Sequence, residues 1–95
     1  MLKHVVLMKF KPGVTDDQIR DLAKSLGALP ALIPEIKEFT FGRDLRPEKV
    51  YDFALVSSFD DFAALNRYRP HPEHMAILKK VKAMCEQIQV VDFEY

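Results

Sequence analysis

Ninety-five residues, 48% of them hydrophobic and 29% charged, describe one globular domain spanning 1–95, because a second core would be left with fewer than about 50 residues. Fourteen basic side chains against fourteen acidic ones leave no net field to draw the chain to nucleic acid or to an anionic membrane. The single cysteine, Cys85, has no partner for an internal disulfide or a thiolate metal pair, and the early apolar run Val5 to Met8 is too short for a bilayer span or a signal-peptide core, so the chain reads as cytoplasmic.

Residues 3–11 alternate, with His4, Val6, Met8 and Phe10 on one face and Lys3, Val5, Leu7, Lys9 and Lys11 on the other, the period of a strand that Pro12-Gly13 ends. Thr15 and Gln18 form a capping box, and Ile19, Leu22, Ala23 and Leu26 then recur at helical spacing, which predicts a first helix from about Asp16 to Leu26. Pro30 and Pro34 argue against regular helix beyond Gly27, leaving a loose turn to pack Leu29, Leu32 and Ile33. A second strand from Ile36 carries Phe39 and Phe41 on one face and reaches a bend at Gly42.

The charged stretch Arg43 to Lys49, with Pro47 inside it, reads as a loop before a third strand from Val50 to Phe59. Asp60 is placed to cap a helix carrying Phe62, Leu65 and Tyr68, which Pro70-His71-Pro72 interrupts. A second helical segment resumes with Ile77, Leu78, Val81, Met84 and Cys85, and Ile88 to Tyr95 closes the chain as a strand. The order βαββαβ predicts an α+β, ferredoxin-like monomer, a four-stranded antiparallel sheet with its helices on one face. Val5 and Leu7 lie opposite the His4 face, and Phe53 and Leu55 alternate with Ala54 and Val56, so both faces of the sheet carry apolar side chains and two copies are expected to pack sheet to sheet as a homodimer.

The densest group of reactive side chains is Tyr68-Arg69-Pro70-His71-Pro72-Glu73-His74, at the helical break. Imidazole moves protons near neutrality and a tyrosine hydroxyl orients carbonyls, and His4 points into the same layer if its face meets the helices. One reading therefore joins His4, Tyr68 and His74 in a pocket. The other makes His71-Pro72-Glu73 an ordinary helix start, with His71 as a polar cap. No Gly-rich phosphate loop is present, and no carboxylate or thiolate set joins His71 and His74 as metal ligands, so neither a metal nor another cofactor is expected. Lys3, Lys9, Lys11 and Arg43 either ring an anion site or are solvated strand-end charges, and Cys85 reads as a small core residue.

The opening Lys3 to Lys11, the strand Tyr51 to Phe59, the segment Tyr68 to His74 with its His-Pro-x-His element, and the closing Val91 to Glu94 together resemble the stress-responsive A/B barrel domain family, the dimeric α+β barrel proteins, over nearly the whole chain. That resemblance implies a ferredoxin-like monomer and a homodimer through the sheet face. A plant polyketide cyclase of the family closes a linear substrate by intramolecular aldol condensation. By the match to it, His74 removes a proton beside a carbonyl, Tyr68 positions the carbonyl oxygen, and His4 supports the histidine or the developing charge. Val6, Met8, Phe53 and His71 are the expected ligand-binding positions, Phe53 standing where the plant enzyme has a further histidine. The implied function is the handling of a small apolar or carbonyl-containing molecule by cofactor-independent acid-base chemistry; the other reading is a non-catalytic ligand-binding or stress-protective dimer.

Overall fold

The computed structural model describes residues 1–95 and comprises β1 (Leu2–Phe10), α1 (Asp16–Leu32), β2 (Glu38–Arg43), β3 (Phe53–Phe59), α2 (Phe62–Tyr68), α3 (Pro72–Met84) and β4 (Cys85–Glu94). The strands form one antiparallel sheet in the order β2-β3-β1-β4, the ferredoxin-like topology, with the second helical crossover split in two. In β1 the side chains of Leu2, His4, Val6, Met8 and Phe10 are buried and those between them half-buried, so the strict alternation of the sequence becomes the two faces of the sheet. The buried face meets Leu22, Leu26 and Leu29 of α1, Leu65 and Tyr68 of α2, and Ile77 and Val81 of α3.

Helix α1 starts at the capping box: Thr15 Oγ1 accepts the Gln18 N–H at 3.2 Å, and Gln18 Oε1 accepts the Thr15 N–H at 2.8 Å. The helix does not stop near Leu26. It runs through Gly27 and Pro30 to Leu32, because Leu29 (1% exposed) and Ile33 (0%) are carried into the core by the extra turns. Burying two such side chains is worth about 1.5–3 kcal/mol each, enough to offset the roughly 3 kcal/mol that an interior proline costs.

Other boundaries also differ from the sequence expectation, β2 beginning at Glu38 rather than Ile36. The third strand begins at Phe53 rather than Val50, and just ahead of it Asp52 donates its N–H to Met8 O at 2.8 Å while its carbonyl oxygen accepts the Asp44 N–H at 2.9 Å. Asp61, not Asp60, caps α2 by accepting the Ala64 N–H at 2.8 Å. The last strand begins at Cys85 rather than Ile88, because its pairing with β1 extends to Phe10. Cys85 therefore ends α3 instead of lying on its apolar stripe, and burial pushes its thiol up to about 11, with the Asp52 carboxylate adding to the shift.

The register sets Val5 and Leu7 beside Val56 and Ala54 on one side and beside Val91 and Gln89 on the other, an apolar strip on the face without helices. On the helix side the cover is uneven. Val90 of β4 is 49% exposed although its neighbour across the ladder, Val6, is buried, so the helices leave the β4 edge partly open. No helix is long and apolar enough to cross a membrane.

Candidate active site

That open edge is a cavity of about 470 Å³ between α3 and β4, walled by Val6 and Met8 of β1, Leu55 of β3, Ile77, Leu78 and Val81 of α3 and Ile88 and Val90 of β4. Its polar lining groups are His4, Tyr68, Arg69 and His74. A largely apolar hollow with a few converging polar groups suits a small organic ligand.

The two late helices deliver Tyr68 and His74 to it. Tyr68 ends α2, the His71 N–H reaches back to Tyr68 O at 3.1 Å, and Pro72 starts α3 as its first residue. Two residues on, His74 lies against Tyr68 with ring centroids 4.3 Å apart. His74 Nδ1 is 2.8 Å from the Arg69 carbonyl oxygen, which can only accept, so Nδ1 carries the proton and the lone pair is left on Nε2. Burial holds the His74 pKa below its ordinary 6.5, outweighing the carbonyl contact that favours the cation, and the nearby His4, Arg69 and His71 add to the lowering. At neutral pH this imidazole is an unprotonated base.

Tyr68 is 2% exposed, and burial raises its hydroxyl well above the ordinary tyrosine value, so the group keeps its proton and serves as a donor. Its oxygen has no protein hydrogen bond, yet no fully buried polar side-chain atom lacks a partner, which leaves this hydroxyl open toward the cavity.

His4 is placed by the sheet. Its partner across the β1–β4 ladder is Asp92, whose Oδ1 lies 2.5 Å from His4 Nδ1, while the other carboxylate oxygen accepts from the Arg69 guanidinium at 3.0 Å. The carboxylate makes Nδ1 the protonated nitrogen of His4, and the ring meets Tyr68 edge-on at 6.3 Å. Arg69 thus touches both halves of the site, through its carbonyl to His74 and through its side chain to Asp92.

Of the residues singled out from the sequence, His4, Tyr68, His74, Val6 and Met8 come together on this cavity. Phe53 and His71 do not. Phe53 lies on the correct face of β3 but farther along the sheet, stacked on Phe41 with centroids 6.0 Å apart. The His71 ring is spent on the helix start, its Nδ1 accepting the Glu73 N–H at 3.2 Å. Of the four cations Lys3, Lys9, Lys11 and Arg43, three are paired with an acid, Lys3 with Glu38, Lys9 with Glu86 and Arg43 with Asp16, and Lys9, Lys11 and Arg43 share one pocket with Asp52 and Glu86. No three His, Cys, Asp or Glu side chains cluster as a metal-ligand set.

Asp92 and Arg69 were not singled out as functional from the sequence. Asp92 left a signal: Ile88, Val90 and Asp92 alternate along the last strand, and ferredoxin-like order sets that strand beside the first, so an acid falls next to His4. Arg69 left none beyond its place in the helical break.

The model of the stress-responsive A/B barrel domain matches residues 2–95. The chain belongs to that family. Among its relatives, the stress-response A/B barrel domain-containing protein HS1 of Arabidopsis thaliana is 30% identical over 96 residues, covering 98% of this chain and 88% of the relative. Olivetolic acid cyclase of Cannabis sativa is 24% identical over 95 residues, 97% of this chain and 94% of the cyclase. A solved dimeric ferredoxin-like protein of unknown function from Thermobifida fusca superposes with a TM-score of 0.91 at 35% identity, covering 99% of this A/B barrel chain and 90% of the other.

The lowered His74 pKa has a thermodynamic consequence. Between the folded value and 6.5 the unfolded chain binds more protons than the native one, so the stability that neutral His74 contributes is complete above 6.5 and is lost as pH falls through the folded value. Urea denaturation of the wild type and His74→Gln across the range from neutral to acidic pH should show the wild type losing stability relative to the variant on acidification. A difference that stays constant with pH contradicts the assignment.

Proposed function

We propose that this A/B barrel protein is a homodimer that admits a small carbonyl compound to the cavity between α3 and β4 and moves a proton on it without a cofactor. The observation that carries the reading is the Tyr68–His74 pair, rings 4.3 Å apart on a cavity wall, one side chain a proton donor and the other a base with a free nitrogen. His74 Nε2 takes a proton from the carbon next to the carbonyl, and the Tyr68 hydroxyl hydrogen-bonds the oxygen on which enolate charge accumulates. His4, backed by Asp92, supports Tyr68 and offsets that charge. In a substrate with a second carbonyl, the enolate carbon adds to it, a C–C bond forms, and the new alkoxide takes the proton back from His74. The apolar walls, Val6 and Met8 among them, hold the hydrocarbon part and strengthen these interactions by excluding water. Likeness to a cyclase at 24% identity supports the same chemistry.

The second partner of the dimer covers the helix-free face. Val5, Leu7, Ala54, Val56, Val91 and Phe93 lie together there by register, and a relative of 35% identity is dimeric. A standard interface buries about 1,600 Å² in total, which packing one sheet on another supplies. Light scattering after gel filtration should give twice 11.0 kDa for the wild type and a shift to monomer for Leu7→Glu. A wild type that is monomeric at micromolar concentration overturns the interface.

The mostly apolar walls also suit passive binding, and one pair of variants separates the two functions. His74→Ala should lower turnover of small β-keto compounds by about 10² to 10⁴-fold while the fold survives. Tyr68→Phe, which keeps the ring and loses only the hydroxyl, should lower turnover with an unchanged melting temperature. Full activity of both variants on a compound that the wild type converts would remove the acid-base roles and leave a binding protein.

A further inference from the structure

We propose that Arg69 makes the cavity selective for a carboxylate: the ligand has an apolar body, a carbonyl at Tyr68 and His74, and a carboxylate that the Arg69 guanidinium takes. This rests on the reading of the cavity as a carbonyl site and names the class of compound that enters it. Among the residues that line the cavity, Arg69 alone carries a permanent charge. The acid that balances it is not a lining residue; Asp92 is 14% exposed, with one oxygen on His4 and the other on Arg69. The residues that line the cavity therefore include one cation and no anion.

The guanidinium still has donors to give. Of its five N–H groups, one is bonded to Asp92 at 3.0 Å and one to Asn66 Oδ1 at a long 3.4 Å, which leaves three without a protein partner on a side chain 47% exposed. The group is bonded to Asp92 and lies over the Phe62 ring, with Cζ 5.7 Å from the centroid. A fixed fork with spare donors matches the two oxygens of a carboxylate, and apolar walls strengthen that charge-assisted contact. Stability gives little reason for the residue, since a half-exposed pair contributes little and Asp92 keeps His4 as a partner without it.

Octanoate and its neutral counterpart octanamide, titrated calorimetrically into the full chain at pH 7, test the assignment. The wild type should bind octanoate roughly tenfold or more tightly than octanamide, the ratio expected of one charge-assisted contact. Arg69→Met should keep octanamide binding and bring the ratio close to one, and Arg69→Lys should give an intermediate ratio. Because each ratio is taken within one variant, general loosening from the lost Asp92 contact cancels, and Arg69→Lys serves if Arg69→Met folds poorly. Equal binding by the wild type, or a preference for the acid that survives in Arg69→Met, overturns the assignment. Loss of the preference in Arg69→Met, together with unchanged turnover in His74→Ala, keeps the carboxylate site and removes proton transfer. Failure of the wild type to bind either compound overturns the carboxylate assignment alone, since turnover by His74→Ala and Tyr68→Phe tests the acid-base reading separately.

Discussion

Pro70 and Pro72 take two N–H groups out of any helical ladder, so α2 ends at Tyr68 and α3 begins only at Pro72. The groups freed by that break then find specific partners. In an uninterrupted helix the Arg69 carbonyl would accept the Glu73 N–H, but the His71 ring takes that donor, and the Arg69 oxygen is left to fix the His74 ring instead. His71 therefore acts at one remove: by capping α3 it releases the acceptor that sets the His74 tautomer. The same turn brings the His74 ring onto Tyr68, so one local constraint determines the placement of both groups and the tautomer of His74.

The sheet supplies the other half. Antiparallel pairing of β1 with β4 puts Asp92 beside His4, and the Arg69 guanidinium closes the gap between strand edge and helical corner. These contacts span a part of the molecule where the apolar cover is thin, with Val90 and Met75 both about half exposed. A cavity there forgoes packing that a filled core would have, at roughly 20–30 cal/mol per Å³ of empty volume in typical cores.

The sequence made the elements and the layer of the site readable because both rest on short-range patterns. The alternation of His4, Val6, Met8 and Phe10 identified the buried face, Thr15 and Gln18 marked a helix start, and paired prolines marked the break beside Tyr68. What it concealed depends on contacts distant in the chain. The burial of Leu29 and Ile33 that carries α1 past Pro30 is tertiary, and two adjacent acids gave no local reason to prefer Asp61 over Asp60 as the cap. Phe53 shows the limit of periodicity, which gives the face of a strand but not the position along it where a cavity opens. Asp92 needed the register between the first and last strands, and Arg69 needed the three-dimensional path of the break.

Everything at this site turns on His74, which holds its proton on Nδ1 and presents Nε2 as a base at neutral pH. Nitrogen-15 NMR of the imidazoles in the full chain measures this directly, since the two ring nitrogens of each tautomer have well-separated shifts. His74 should be neutral with Nδ1 protonated and convert to the cation only below the ordinary 6.5. A ring protonated on Nε2, or one that titrates at or above 6.5, would contradict it.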